Sequence, residues 1–170
     1  MSDTHFSPFE TNLDREVALK TLREATAGAD DGELFLERRR SEAMVFDDGR
    51  LKTASYDASE GFGLRAVCGE VVGYAHSTEI SESALKRATQ TARLAVVDGG
   101  GTWPDAPQAT NIKLYTDEDP IAGASFPVKL DTLRAMDDFA RSLDKRVIQV
   151  TASIAASIQE IEILRPEGGS

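Results

Sequence analysis

Two histidines and one cysteine are all the soft-metal ligands that this 170-residue chain holds. His5 lies in a polar N-terminal stretch and His76 is far from it in sequence. There is no H-E-x-x-H pair and no C-x-x-C, so a zinc centre of ordinary design is not expected within these residues. Cys68 sits in a strand-like run and reads as a buried, inert thiol, since free cysteine is among the most buried residue types. A lone cysteine makes no internal disulfide, which fits a reducing compartment. Ser, His and Asp are all present, but no G-x-S-x-G elbow presents a nucleophile. His76 has no nearby cysteine partner, since Cys68 would sit one hairpin away, and no pattern of supporting groups.

Other clusters read as scaffold. Gly61-Phe62-Gly63-Leu64-Arg65-Ala66 begins like a dinucleotide fingerprint, but the third glycine is missing and strands follow where a helix N-terminus would have to cradle phosphate. Gly99-Gly100-Gly101 lacks the Lys-Ser/Thr of a phosphate loop and reads as a linker. Asp117, Glu118 and Asp119 precede Pro120 without the ligand spacing a hard cation needs, and read as a solvated acidic loop. Asp137 and Asp138 are expected on the solvent face of a helix. Arg38-Arg39-Arg40 is the one basic run. On a strand its side chains alternate faces, so it reads as a solvated strand end. No catalytic, cofactor-binding or metal-ligating residue is assigned in this chain.

Composition bounds the class. A net charge of −10 and a pI near 4.7 argue against nucleic acid as a direct ligand, because phosphate binding needs clustered Lys and Arg. Hydrophobic residues at 41% and charged residues at 28% are those of a soluble globular protein. No run approaches ~20 apolar residues, so no membrane span is expected. Met1 to Thr11 lacks an apolar core, so no secretory signal is expected.

The elements that would position any site follow from periodicity. Residues 1–11 read as a disordered leader. Val17, Ala18, Leu22 and Ala25 recur at helical spacing, with Thr11 or Asn12 as cap and Gly28 as stop. Residues 33–76 read as four short antiparallel strands: Glu33 to Phe46, Arg50 to Ser59, Gly61 to Cys68 and Val71 to His76. Asp47-Asp48-Gly49 and Gly69-Glu70 are hairpin turns, and Glu60-Gly61 a break. Ser81 caps a helix that runs to Asp98 with Leu85, Ala88, Ala92 and Ala95 on one face. Pro127 starts another, whose stripe of Leu133, Met136, Ala140 and Leu143 reads as core-facing. From Val147 the period is two, the phase slips near Ala156, and Ile161 and Ile163 mark a second strand of a terminal hairpin. The fold class is α+β: an antiparallel β-meander packed with amphipathic helices, then a helix and the start of a second sheet. The expected division is an N-terminal α+β domain over 12–98, a linker-like loop over 99–126, and over 127–170 the truncated start of a following domain.

Several segments together resemble the N-terminal part of the TldD/PmbA family, whose members are also described as modulators of DNA gyrase. They are Asp48-Gly49-Arg50-Leu51, Gly61-Phe62-Gly63-Leu64-Arg65-Ala66-Val67 and Gly69-Glu70-Val71-Val72-Gly73-Tyr74-Ala75. Leu114-Tyr115-Thr116-Asp117-Glu118-Asp119-Pro120 and Asp144 to Ser153 look more like the TldD branch than its PmbA (TldE) partner. The resemblance covers roughly residues 12–164. It implies a cytoplasmic bacterial zinc metallopeptidase that hydrolyses unfolded peptides inside a heterodimeric chamber, with roles in leader-peptide maturation and antitoxin degradation. The family's zinc ligands come from an H-E-x-x-x-H helix and a later cysteine, in the C-terminal part of a longer protein. Neither motif occurs here, so no metal residue is carried over, and Cys68 and His76 do not stand in for them. The resemblance thus implies zinc in a full-length parent, none in this chain, a PmbA/TldE-like partner subunit, and a part in the chamber wall and partner interface. The alternative is a stand-alone peptide- or protein-binding regulatory module without peptidase activity.

Overall fold

A computed structural model describes residues 5–96 and 118–168 of the chain. The elements in chain order are α1 (Pro8–Thr11), α2 (Arg15–Ala25), β1 (Asp31–Asp47), β2 (Arg50–Cys68), β3 (Val71–Ser77), α3 (Glu82–Ala92) with a 3-10 turn at Arg93–Ala95, α4 (Phe126–Leu143) and β4 (Thr151–Leu164). The strands form one four-stranded sheet in the order β3-β2-β1-β4. The class is α+β, as expected. The described residues divide into two compact units, one of 5–38, 59–96 and 160–168 and the other of 39–58 and 118–159.

The first unit is a helix-on-sheet layer. On β1 and β2 the even-numbered Leu34, Leu36, Phe62, Leu64 and Ala66 are buried, because successive side chains of a strand point to opposite faces. Two helices cover that face. Asp14 caps α2 by accepting from the Val17 amide at 2.9 Å, and Ala18, Leu22 and Ala25 bury one stripe. Ser81 caps α3 through the Ala84 amide at 3.2 Å. The buried Ala84, Ala88 and Ala92 of α3 are small enough to bring it close to β3 and α2, and Leu85 fills the core beside them. Leu164 of β4 closes the same core.

The second unit has a smaller core of Met44, Phe46, Leu133 and Ala152, with Leu51, Leu130 and Ile154 packed around it. Its β1–β2 hairpin turns at Asp48-Gly49, where both φ angles are positive (49° and 76°). That is the requirement of a type I′ turn, whose twist matches the strands it joins.

Besides the α2 cap, which is Asp14 rather than Thr11 or Asn12, four expectations change. The leader does not stay disordered to Thr11: Phe6 and Pro8 are buried and α1 forms, because two apolar residues find room on the first unit's core. The break at Glu60-Gly61 does not occur. β2 runs unbroken for 19 residues, since a strand paired along its side tolerates a glycine, so the meander has three strands. β4 is likewise one strand of 14 residues, and among the described residues it does not start a second sheet: β4 lies beside β1, where its backbone groups pair. Finally, Met136 and Leu143 of the α4 stripe are exposed, while Lys129, Leu133 and Asp137 of α4 are buried. Residues 99–117 of the expected linker lie outside the described residues.

Candidate functional site

The pairing of β2 with β3 sets the geometry at one edge of the first unit. The register runs from Cys68 opposite Val71 to Gly63 opposite His76 and Phe62 opposite Ser77. With Leu64 and Ala66 turned to the helices, Gly63 and Arg65 share the opposite face with Tyr74 and His76. A Cβ at Gly63 would stand 2.9 Å from the Tyr74 hydroxyl oxygen and 3.1 Å from its ring, so the phenol lies over bare backbone. The His76 ring stacks beside it, with centroids 5.8 Å apart. At Gly61 a Cβ would meet the Ser77 carbonyl oxygen at 2.5 Å, so only glycine lets the end of β3 come this close.

These approaches shape an open groove of about 270 Å³, with Phe35, Glu37, Glu60, Phe62, Tyr74 and Thr78 among its walls. Its mixture is apolar ring surface with two carboxylates. Neither Glu37 nor Glu60 has an ion pair or hydrogen bond to another described side chain. Most other acidic groups on these strands are engaged. Arg65 donates to Asp31 at 2.7 Å and to Glu33 at 3.2 Å. The glycines stand out in the sequence. The groove does not, because it depends on where β3 ends beside β2.

The basic run is not a solvated strand end. Arg38 and Arg40 share one face of β1 and are ion-paired there. Arg38 donates through Nε and Nη2 to Glu160 Oε2 at 3.0 and 2.8 Å, and its guanidinium lies 5.5 Å from the centre of the Phe6 ring. Glu160 also accepts from the Phe6 amide at 2.9 Å. Arg40 donates to Asp119 at 2.9 Å, and Asp119 accepts from the Ile121 amide at 2.8 Å. Asp119 is therefore a structural acceptor rather than a solvated acid. Asp117 lies outside the described residues, and Glu118 and Asp138 are exposed.

Asp137 is buried, not on the solvent face. It accepts from Arg141 Nε at 2.9 Å, and Arg141 Nη2 reaches Asp48 at 2.7 Å. Lys129 is buried too, donating to Glu42 and, at 2.6 Å, to the Ile121 carbonyl. Sequence reasoning missed Glu42, Lys129 and Glu160, since pairs 87 and 122 residues apart leave no local signal.

The soft ligands do not converge. His5 is exposed, 3.5 Å from Glu160. Cys68 is buried at the far end of the β2–β3 hairpin from His76, with its sulfur 3.9 Å from the Gly28 carbonyl oxygen. Among the described residues no group of three His, Cys, Asp or Glu side chains could hold a metal ion. No helix among them is long and apolar enough to cross a membrane.

Comparison with known proteins adds a relationship that the groove alone does not carry. Residues 32–96 match the family model described as PmbA/TldA metallopeptidase domain 1. The metalloprotease TldD homolog of Buchnera aphidicola (subspecies Acyrthosiphon pisum) is 31% identical over 156 residues, which are 91% of this chain and 32% of that protein. The metalloprotease TldD homolog of Haemophilus influenzae is 29% identical over 142 residues, 82% of this chain and 30% of that protein. The chain therefore spans about a third of the length of these relatives. Among solved structures, a proposed modulator of DNA gyrase from Bacteroides thetaiotaomicron superposes with a TM-score of 0.67 at 13% identity, covering 92% of this chain and 37% of that one. TldE from Thermococcus kodakarensis gives 0.61 at 15% identity, covering 88% and 36%. At these identities the structural likeness shows the fold.

Proposed function

From the premise that this chain carries the N-terminal portion of the TldD/PmbA family, we propose that it is a non-catalytic part of a TldD-like zinc metallopeptidase. The parent hydrolyses unfolded peptides in the cytoplasm, in work such as leader-peptide maturation and antitoxin degradation linked to modulation of DNA gyrase. It does so together with a PmbA/TldE-like subunit. This portion walls the peptide chamber and contributes to the partner interface. The observation that carries the reading is the match of 91% of the chain to about a third of a metalloprotease TldD homolog.

The residues present do not fit a zinc ion. His5, Cys68 and His76 lie apart, and no acidic residue completes a ligand set among the described residues. Zinc chemistry accordingly belongs to parts of the parent that this chain does not match. This chain would supply strand backbone, apolar walls and fixed charge around an extended substrate.

The test is a paired assay of residues 1–170 and the full-length parent for metal content and for cleavage of an unfolded polypeptide. The parent is expected to hold stoichiometric zinc and to cleave. Residues 1–170 are expected to do neither. Stoichiometric zinc with hydrolysis in residues 1–170 overturns the assignment. A parent without either favours the binding-module alternative.

A further inference from the structure

α4 carries its large apolar residues on the side that solvent reaches. Val128, Met136, Phe139 and Leu143 are between 49% and 69% exposed, while Lys129, Leu133 and Asp137 are buried. A contiguous exposed apolar stripe of this kind marks an interaction surface. We propose that it is a self-association surface, on which α4 of a second copy of this chain packs antiparallel.

Helix geometry makes one stripe of these residues. At 3.6 residues per turn, Val128, Thr132, Ala135, Met136, Phe139 and Leu143 fall within about 100° of arc. Thr132 and Ala135 are exposed as well, so no charge interrupts the stripe along the helix, which is about 27 Å long. The buried line of Lys129, Leu133 and Asp137 runs along one edge, and Leu133 joins the core of the second unit. Asp131 and Asp138 run along the other edge. The contacts that hold α4 on its own unit therefore leave the apolar stripe open.

The order of side-chain sizes gives the occupant. A two-fold axis between Ala135 and Met136 sets each large residue of the stripe opposite a smaller one. Leu143 meets Val128 of the second copy, Phe139 meets its Thr132, and Met136 meets its Ala135. Large against small at every level lets two identical helices interlock, and a self-complementary patch is what a two-fold interface requires. A parallel pair would instead set Phe139 on Phe139 and Ala135 on Ala135, crowding one level and leaving a gap at the other.

Charge agrees with the same register. Asp138 has no ion pair among the described residues, and Arg134 leans towards Asp131, 3.0 Å from its carboxylate. Antiparallel pairing brings Asp138 of one copy beside Asp131 and Arg134 of the other. The guanidinium then stands between two carboxylates at the edge of the pair, and the two-fold axis repeats the arrangement. The chain's net charge of −10 opposes association, so the pair is expected to need physiological salt to screen it.

Sedimentation equilibrium of residues 1–170 at about 0.15 M salt reads the association. One helix pair is a small interface, so a dissociation constant of about 10–100 μM is expected. Phe139→Asp, at an exposed position whose fold is checked by circular dichroism, is expected to weaken the dimer at least about tenfold, because each dimer loses two buried rings. Leu94→Asp, at another exposed apolar residue outside α4, is expected to leave it unchanged. Cysteine variants read the register, with oxidised glutathione as the oxidant. In the antiparallel pair the two copies of residue 135 lie about 1.5 Å apart along the axis and the two copies of residue 128 about 22 Å apart. Ala135→Cys is therefore expected to form a disulfide-linked dimer and Val128→Cys is not, since a disulfide spans only about 4–7 Å between Cα atoms. A monomer at about 1 mM overturns the proposal and leaves the stripe to a different protein. Phe139→Asp without effect, or Leu94→Asp with an equal effect, also overturns it, the second as non-specific adhesion. Linkage through Val128→Cys as readily as through Ala135→Cys overturns the antiparallel pair.

Discussion

Replacing Lys129 by Met tests whether α4 is held by charge rather than by its apolar stripe. The Lys129 side chain is 9% exposed and its partner Glu42 17% exposed. Met keeps most of the stem volume and removes only the ammonium. Glu42 then keeps a largely desolvated carboxylate with no counter-ion, and the Ile121 carbonyl loses the donor that lies 2.6 Å away. Removing one member of a fully buried pair costs about 3–5 kcal/mol. Glu42 retains some water, which brings the expected loss to about 2–3 kcal/mol. With a urea m-value of about 2 kcal/mol/M, the unfolding midpoint followed by circular dichroism should fall by roughly 1–1.5 M. The double variant Lys129→Met with Glu42→Leu removes both charges together and should return to within about 1 kcal/mol of the parent. A Lys129→Met protein as stable as the parent would refute the reasoning. So would a double variant whose loss equals the sum of the two singles.

Three further outcomes follow from the geometry. Hydrogen bonds from Thr151 Oγ1 at 2.8 Å and Gln149 Nε2 at 3.1 Å hold the Asp47 carboxyl below its ordinary value. Its stabilising contribution is therefore present above the unfolded pKa and is lost as pH falls through the lower folded value. Thr151→Val should move the Asp47 pKa back up in an NMR titration, and an unmoved titration would contradict the assignment. Gly61→Ala sets a Cβ 2.5 Å from backbone oxygen and should lower stability by about 1–3 kcal/mol in denaturant. Gly63→Ala meets only the far end of the Tyr74 side chain, so it should cost much less while displacing the ring from the groove; equal losses at both glycines would be the contrary result. Ser81→Ala removes the cap on the Ala84 amide and should cost about 1 kcal/mol, read from the same urea curves.

The sequence by itself determined what local periodicity and turn chemistry can encode. The α+β class, the stripe of α2, the Ser81 cap, the Asp48-Gly49 turn and the hairpin at Gly69 are all short-range consequences of side-chain type. The ordered motifs through the meander were enough for the resemblance to the family whose first-domain model matches residues 32–96. Tertiary structure decided what depends on partners distant in the chain. Whether Glu60-Gly61 breaks β2, and whether β4 starts a new sheet, turned on which backbone lies alongside, and a strand's hydrogen-bonding partner leaves no mark in its own period. The face that α4 buries is the clearest instance. By side-chain polarity alone, Met136, Phe139 and Leu143 belong inside ahead of Lys129 and Asp137. In the fold, Glu42 and Arg141 neutralise those two charges, so the polar positions go inside with Leu133, while Met136, Phe139 and Leu143 stay exposed. The groove has the same origin. Its glycines and carboxylates are plain in the sequence, but only the end of β3 beside Gly61 brings Glu37 and Tyr74 around one space.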